Sequence, residues 1–421
     1  MSFNLLDVST NFIDFAVEKI GMIDLNWIGK VVQWLVNGVG IVGLGVILFT
    51  LILKTVVLPL DVYSRVKMKK QSLVMKSMRP EMEKLQQQYA NDKNMYSQKV
   101  MELQKQNGIS MFGACLPMII TLVIFMVVFG AFSTYSQYAN LSTYNDMVGK
   151  YNESVQAYVL TDTDGNKVNE NGFLIAVKDE SINEIAYRVD FEAFKKIYKV
   201  SEDFDGKTES EKIGVVRSFV KENGRRAAAK YYRENRDNFL WVKNVWYPDS
   251  PFNKEVPDFS KFSSTISRAM GSGVDYSYEE SYDEVTYYLR NADPENPVKT
   301  LEGKKVNGYF ILILLAIGLM FLQQFISMRS QKDANELTTV DGSGAKQNKW
   351  MLIMMPIIYG VFSFFYSAAF SIYMITNTIY GLITTVIINK AMDVSFAKQE
   401  ANGGYNAKRK IKNQNNRKRL K

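Results

Sequence analysis

Four stretches of this 421-residue chain contain no Asp, Glu, Lys or Arg: 31–53, 106–145, 306–328 and 350–389. A helix needs roughly 20 mostly apolar residues to cross a bilayer. Each of the first three stretches holds one such helix, and in the second the polar run STYSQYANLSTYN trims it to about 111–133. The fourth is too long for one helix and sufficient for two short ones, with the turn placed at YSAAFS (Tyr366–Ser371). Buried helices of a large soluble protein are the competing reading, and they would need several core helices of this length without a charge. The pattern predicts an α-helical integral membrane protein with spans at 36–60, 108–133, 306–328, 350–367 and 368–389.

Charge orients the spans. Residues 61–107 carry ten Lys/Arg against five Asp/Glu, 329–349 carry four against three, and the tail 390–421 carries ten against two. Residues 134–305 carry twenty-four against twenty-nine. Basic residues close to span ends mark the cytoplasmic side. Arg65, Lys67, Lys69, Lys70, Arg329 and Lys332 therefore place 61–107, 329–349 and the tail inside, while Lys304 and Lys305 pull weakly the other way. Five spans with a cytoplasmic C-terminus put the N-terminus outside. The start, MSFNLLDVSTNFIDF, lacks the basic region of a cleavable signal. The single Cys, Cys115, excludes disulfides and a thiolate cluster, and the absence of His excludes imidazole ligands and imidazole acid–base catalysis. No metal, cofactor or catalytic residue is expected.

Between these spans the chain divides into distinct pieces. Residues 1–35 form an extracytoplasmic segment ending in NWIGKVVQWLVNGVG, with Trp27, Val31, Trp34 and Leu35 at helical spacing. That is either an interfacial helix or the first turn of the span. Residues 61–107 read as a cytoplasmic helical hairpin. Met78, Met82, Leu85 and Tyr89 form an apolar stripe on one arm, NDKN (Asn91–Asn94) breaks the run, and a second arm follows. Pro80 predicts a bend or restart within the first arm. A basic linker is the simpler alternative.

Residues 134–305 form an inserted extracytoplasmic α+β domain. AYVLTDTDGNKVNENGFLIAV predicts two strands around a turn-rich loop. SINEIAYRVDFEAFKKIYKV and SEKIGVVRSFVKENGRRAAAKYYRENRDNF predict helices, and a further helix fits the acidic, Tyr-rich run that precedes Pro294. Asp162, Asp164 and Asn166 open like a calcium loop, but Lys167 and Phe173 stand where Gly and Glu are required, so this reads as a turn. Core contributors are expected at Phe173, Leu174, Ile175, Ile185, Phe191, Phe194, Ile197 and Phe219. The domain is expected to fold on its own as a 140–300 fragment.

The stretch FTLILKTVVLPL places Lys54 as a lone charge within span one. A charge in hydrocarbon costs a few kcal/mol even on lenient scales, so intramembrane polar groups mostly face inward or toward water. Thr50 lies four residues before Lys54 on the same helix face. Thr121, Gln323, Gln324 and Asn377 stand in other spans. In a bundle these six can line one wet cavity. The simpler readings are helix–helix hydrogen bonds for the neutral groups and snorkelling to the cytoplasmic end for Lys54.

Taken together these pieces resemble the YidC membrane protein insertase family. VGLGVILFTLILKTVVLPL is similar to its first core span, whose charged groove residue falls at Lys54, and SMRPEMEKLQQQYANDKN to its cytoplasmic hairpin. GISMFGACLPMIITLVIF keeps Gly113, Cys115 and Pro117 of the second core span. FLWVKNVWYPDSPF resembles the Leu-Trp motif outside the membrane, FLQQFISM the Gln-bearing third span, and MMPIIYGVFSFFYSAAFSIYMITNTIYGLI the last two, with Pro356 and Asn377 in family-like places. Several features depart from the pattern: Lys for the usual groove Arg, Thr121 for a Gln, SAA for the Pro-Ser-Gly turn, no preceding lipoprotein Cys or extra anchor, and an outer domain far larger than the family loop.

The resemblance implies a non-enzymatic insertase of the bacterial plasma membrane. A hydrated cationic groove would pass polar segments of nascent membrane proteins and release apolar ones to lipid. The hairpin residues Met78, Pro80, Met82, Leu85 and Tyr89 would dock clients, and the Sec translocon is an expected partner. The tail (Lys408, Arg409, Lys410, Lys412, Arg417, Lys418, Arg419, Lys421) would contact the ribosome through RNA phosphates or bind anionic lipids. The ligand of 134–305 is not supplied by the resemblance; its acidic, Tyr-rich surface suits a protein or cell-surface contact, or a brace for the outer mouth. The functional alternative is a secondary transporter of an anionic small solute, although five unequal spans give no repeat.

Overall fold

The computed structural model describes residues 13–107, 111–179, 184–198, 202–270, 274–291, 306–330 and 353–401, apart from 16, 355 and 359. They form two compact units, one built from 30–132 and 309 onward, the other from the N-terminal residues to 29 and from 133–308.

The first unit is helical. Helix α1 (Trp27–Val39) stops at Gly40, whose φ of +73° an L side chain rarely adopts. Helix α2 (Val42–Gln88) then packs back so tightly that a Cβ on Gly45 would lie 2.8 Å from the Val36 Cα. Trp27 and Trp34, seven residues apart on one face, are exposed. α1 is thus a separate helix, not the first turn of the span. Its exposed indoles suit the headgroup layer.

α2 is 47 residues long, about 70 Å at 1.5 Å per residue. The expected restart at Pro80 does not occur: both Pro59 and Pro80 lie inside a continuous helix, so the expected span and the first hairpin arm belong to one helix. The connection falls where NDKN predicted it. Asp92 caps α3 (Lys93–Gln106) by accepting from the Asn94 and Met95 amides at 3.1 and 3.0 Å. Met78 and Met82 are buried, Leu85 and Tyr89 half-buried and Pro80 exposed.

Helix α4 (Met111–Gln156) does not end near 133. Through the polar run, Gln137, Asn140 and Thr143 turn their side chains onto carbonyls four residues back. The helix therefore continues while Leu141, Tyr144, Val148, Tyr151 and Val155 enter the core of the second unit. Polarity ended the expected span; it did not end the helix.

Helix α9 (Ile311–Ser330) and the helical stretch Pro356–Phe365 precede α10 (Ala368–Ala401), with the turn at 366–367 inside the predicted YSAAFS. α10 packs against α9 and α2. Phe125 and Phe129 of α4 meet Phe362, Tyr366 and Phe370 around that turn, mostly edge to face at 4.3–6.3 Å. Among the described residues, α2 over Val42–Lys67 and α10 over Ala368–Ser395 are long and apolar enough to cross a membrane.

The second unit holds a three-stranded sheet, β1 (Val159–Thr161), β2 (Leu174–Asp179) and β3 (Glu184–Val189), in that order. β1 and β2 run parallel, β2 and β3 antiparallel. The turn between β1 and β2 forms as expected, with Asp162 accepting from the Asp164 and Asn166 amides and Gly165 at φ +82°. The segment SINEIAYRVDFEAFKKIYKV is not one helix. Its β-branched and aromatic residues Ile185, Tyr187 and Val189 belong to β3, and Asp190 caps the short α5 (Phe191–Ile197) through the Ala193 amide.

Helix α6 (Glu209–Asn235) opens with a capping box, Thr208 with Glu211. Helices α7 (Phe259–Met270) and α8 (Glu279–Arg290) follow, α7 without having been anticipated. Phe173, Leu174 and Phe194 are core as expected, whereas Ile185 is exposed. The buried Glu284 takes two 2.8 Å bonds from Arg225 and one from the Tyr151 hydroxyl.

The N-terminal residues are part of this unit, not a segment apart from it. Ile13, Phe15, Val17, Ile20 and Ile23 are buried in its core, and Ile13 pairs with Tyr187 of β3. Asn145 holds both the Ile20 amide (3.0 Å) and carbonyl (2.7 Å), and the Tyr144 hydroxyl donates to the Glu18 carbonyl. A 140–300 fragment lacks five buried apolar side chains, each worth about 1.5–3 kcal/mol when fully buried. That fragment should melt at a lower temperature than the same fragment given a 13–25 peptide, and the gain should saturate with peptide concentration. Identical melting with and without peptide would contradict this.

The loop FLWVKNVWYPDSPF folds around Asn307. The Asn307 amide donates to the carbonyls of Asn244 (2.8 Å), Tyr247 (3.2 Å) and Pro248 (2.9 Å), and its side-chain oxygen accepts from the Asn244 amide at 2.8 Å. The Trp246 indole donates to Asp237. Burial pushes the Asp237 carboxyl above the usual carboxylate range, only partly offset by that bond. The folded state therefore binds this proton more tightly than the unfolded chain. The resulting stability is present below the unfolded pKa of about 3.9 and is lost as pH rises through the folded value. Asp237→Asn keeps an acceptor for Trp246 and cannot ionise. It should melt above wild type at pH 7 and converge with it below about pH 4.

Candidate functional site

Within the helical unit a cavity of about 400 Å³ opens among α2, α4, α9, α10 and Pro356. Its α2 wall carries Lys54, Asp61, Ser64 and Arg65. Steps of seven and eleven residues return to within about 20° on a helix of 3.6 residues per turn, so Lys54, Asp61 and Arg65 share one face. Gln323, Gln324 and Ser327 come from α9, and Asn377, Tyr380, Thr384 and Thr385 from α10.

Four of the six groove residues expected from sequence meet here: Lys54, Gln323, Gln324 and Asn377. Thr50 does not. It is fully buried, its hydroxyl donates to the Val46 carbonyl at 2.7 Å, and it is absent from the cavity wall. A hydroxyl in a helix satisfies itself four residues back, so sharing a face with Lys54 did not make Thr50 part of the polar surface. Position 121 lies on α4, but its side chain is outside the described residues, as are the tail residues from Lys408 to Lys421. Of the hairpin residues expected to dock clients, Met78 and Met82 are turned inward.

Local packing sets the polar groups in place. A Cβ on Gly381 would lie 2.5 Å from the Gln323 Nε2, so this glycine is what lets the amide lie against α10. Thr384 and Thr385 donate to the carbonyls of Tyr380 (2.9 Å) and Gly381 (2.6 Å), leaving oxygen lone pairs as acceptors. Arg65 Nε binds Asp61 Oδ2 at 3.1 Å. Among the described residues Lys54 makes no ion pair. The wall thus combines Lys54 and the Asp61–Arg65 pair with amides and hydroxyls, a surface that can hold water and a polar or acidic chain. Asp61 and Arg65 do not stand out in the sequence as cavity residues, because they follow the expected end of the span. Their spacing from Lys54 was the available signal.

The family model described as 60Kd inner membrane protein matches residues 34–161 and 226–395, leaving 162–225 unmatched. The unmatched stretch supplies β2, β3, α5 and the first part of α6. A protein named membrane protein insertase YidC from Fusobacterium nucleatum subsp. nucleatum is 39% identical over 92 residues, 22% of this chain and 43% of that protein. One of the same name from Jannaschia sp. is 40% identical over 93 residues, 22% and 14% of the two chains. Another, from Caldanaerobacter subterraneus subsp. tengcongensis, is 29% identical over 116 residues, 28% and 54%. In each case the match spans less than two thirds of the relative's length. With the family model covering both the cavity helices and the loop around Asn307, this chain belongs to the 60Kd inner membrane protein family, that of the YidC insertases.

Proposed function

We propose that the protein is a membrane protein insertase of the bacterial plasma membrane, with five spans, the N-terminus outside and the C-terminus in the cytoplasm. The observation that carries the reading is the cavity in which Lys54 stands among Gln323, Gln324 and Asn377, on helices that the family model matches. A polar segment of a nascent membrane protein enters this cavity without meeting hydrocarbon. Lys54 attracts its acidic residues and keeps the cavity wet. The client's apolar segment then moves into lipid, driven by roughly 25 cal/mol per Å² of apolar surface. No bond is made or broken.

Nascent chains arrive from the ribosome or the Sec translocon. The basic tail binds phosphates, either of ribosomal RNA or of anionic lipid headgroups. The hairpin captures clients through its exposed residues Pro80, Met95 and Met101, since Met78 and Met82 are occupied internally. The transporter reading has no repeat and no observation in its favour.

Depletion in the host tests this proposal. Newly made membrane proteins with short, acidic extracytoplasmic tails should fail to integrate. Unchanged integration of every such protein, with loss of uptake of a small anion instead, would overturn it.

A further inference from the structure

Three cations follow one side of α2: Lys54, Arg65 and Lys69. The steps of eleven and four residues keep them within about 60° around the helix over roughly 22 Å of rise. The outer two are already neutralised by carboxylates of the chain itself. Arg65 holds Asp61 at 3.1 Å, and Lys69 holds Asp393 of α10 at 3.0 Å. Lys54, the innermost, has no such partner among the described residues. Exposure of the resident carboxylates falls inward, from 64% at Asp393 to 40% at Asp61.

Both carboxylates still reach solvent, and ion pairs that reach solvent add little to stability. A carboxylate arriving on another chain can therefore replace Asp393 or Asp61 at little net cost. The Coulomb attraction of a contacting pair strengthens as water is excluded and the effective dielectric falls. Each inward exchange places the incoming carboxylate where water is scarcer, and at the last station, Lys54, no ion pair among the described residues has to be broken. Bare cations at the mouth would hold any cytoplasmic anion. The residents make entry an exchange that acidic side chains on a flexible segment can carry out in sequence.

We propose that Arg65 and Lys69 are exchangeable carboxylate stations, with Asp61 and Asp393 as their resident occupants, which hand an acidic client segment inward to Lys54. This rests on the insertase reading above. It assigns Asp61, Arg65, Lys69 and Asp393 a part in selecting clients by charge.

The test is insertion by purified full-length protein in liposomes, using one client with tails of zero or three Asp. The readout is the ratio of acidic-tail to neutral-tail rates. Asp61→Asn and Asp393→Asn, on different helices, should each raise that ratio about two- to fivefold, since exposed pairs contribute up to about 1 kcal/mol. The reversed pair D61R/R65D keeps an ion pair but sets a carboxylate at the outer station, and should lower the ratio by a similar factor. If the pairs are only braces, single variants slow both clients alike and the reversed pair restores wild-type rates. An unchanged ratio in all variants overturns the proposal. Failure of wild type to insert either client above empty liposomes overturns the insertase reading itself, and this inference with it.

Discussion

Lys54→Glu should reduce insertion of clients whose tails carry three Asp by more than about tenfold, a loss of only about 1.4 kcal/mol. A carboxylate at this position repels such a tail inside a partly dehydrated cavity, where contacting charges interact by up to about 4 kcal/mol. Lys54→Arg should keep most activity, because the charge is retained and guanidinium suits a wet polar wall. Lys54→Met should impair acidic clients and pass clients with short neutral tails, since apolar transfer into lipid survives while attraction and hydration do not. The measurement is protease protection of client tails carrying zero, one or three Asp in liposomes. Equal activity of wild type, Lys54→Arg and Lys54→Met with every tail would make Lys54 a snorkelling residue at a helix end.

The second large effect concerns the stability of the second unit. Asn307 is fully buried and makes four hydrogen bonds to the loop that contains Trp241 and Trp246. Asn307→Ala strands an amide and three carbonyls that water cannot reach freely. Each buried unsatisfied group costs about 1–3 kcal/mol. Allowing for relaxation, a total of about 3 kcal/mol lowers the melting temperature of a unit this size by roughly 6–12 °C. Near-ultraviolet circular dichroism of the purified protein should report that shift. Asn307→Asp should not recover it, since a carboxylate oxygen would then face the three carbonyl oxygens that accept from the amide, and its charge would be buried without a partner. A shift below about 2 °C for Asn307→Ala would mean that the loop is held by Ser136, Asn140 and Asp249 without it.

Much of this was legible in the sequence because the constraint was coarse. Charge-free stretches located the apolar helices, NDKN located the hairpin connection, and YSAAFS located the last turn. Gln323, Gln324 and Asn377 stood out as polar residues in apolar runs, and the cavity gathers them beside Lys54. What the sequence concealed depended on partners distant along the chain. Polar residues after 133 looked like the end of a helix, although Gln137, Asn140 and Thr143 satisfy themselves along it. Ile13, Phe15 and Val17 looked like a tail because the core that buries them begins more than a hundred residues later. Ile185, Tyr187 and Val189 could be read in a helix or a strand until pairing with β2 settled it. Thr50 and Met82 were judged by the face they share with functional residues, and burial removed both from the surface.

In the proposed function a client's polar segment passes through the Lys54 cavity. Photo-crosslinking from single positions to a stalled client in native membranes reads out that passage. Probes at Asn377 and Gln324 line the cavity, whereas probes at Ile383 and Phe325 sit on the same two helices with exposed side chains and are absent from its wall. Asn377 and Gln324 should crosslink to the client's polar tail, more weakly in Lys54→Glu, and Ile383 and Phe325 should give little crosslinking to that tail. Tail crosslinks from Ile383 and Phe325 that equal or exceed those from the cavity, and that persist in Lys54→Glu, would contradict that passage.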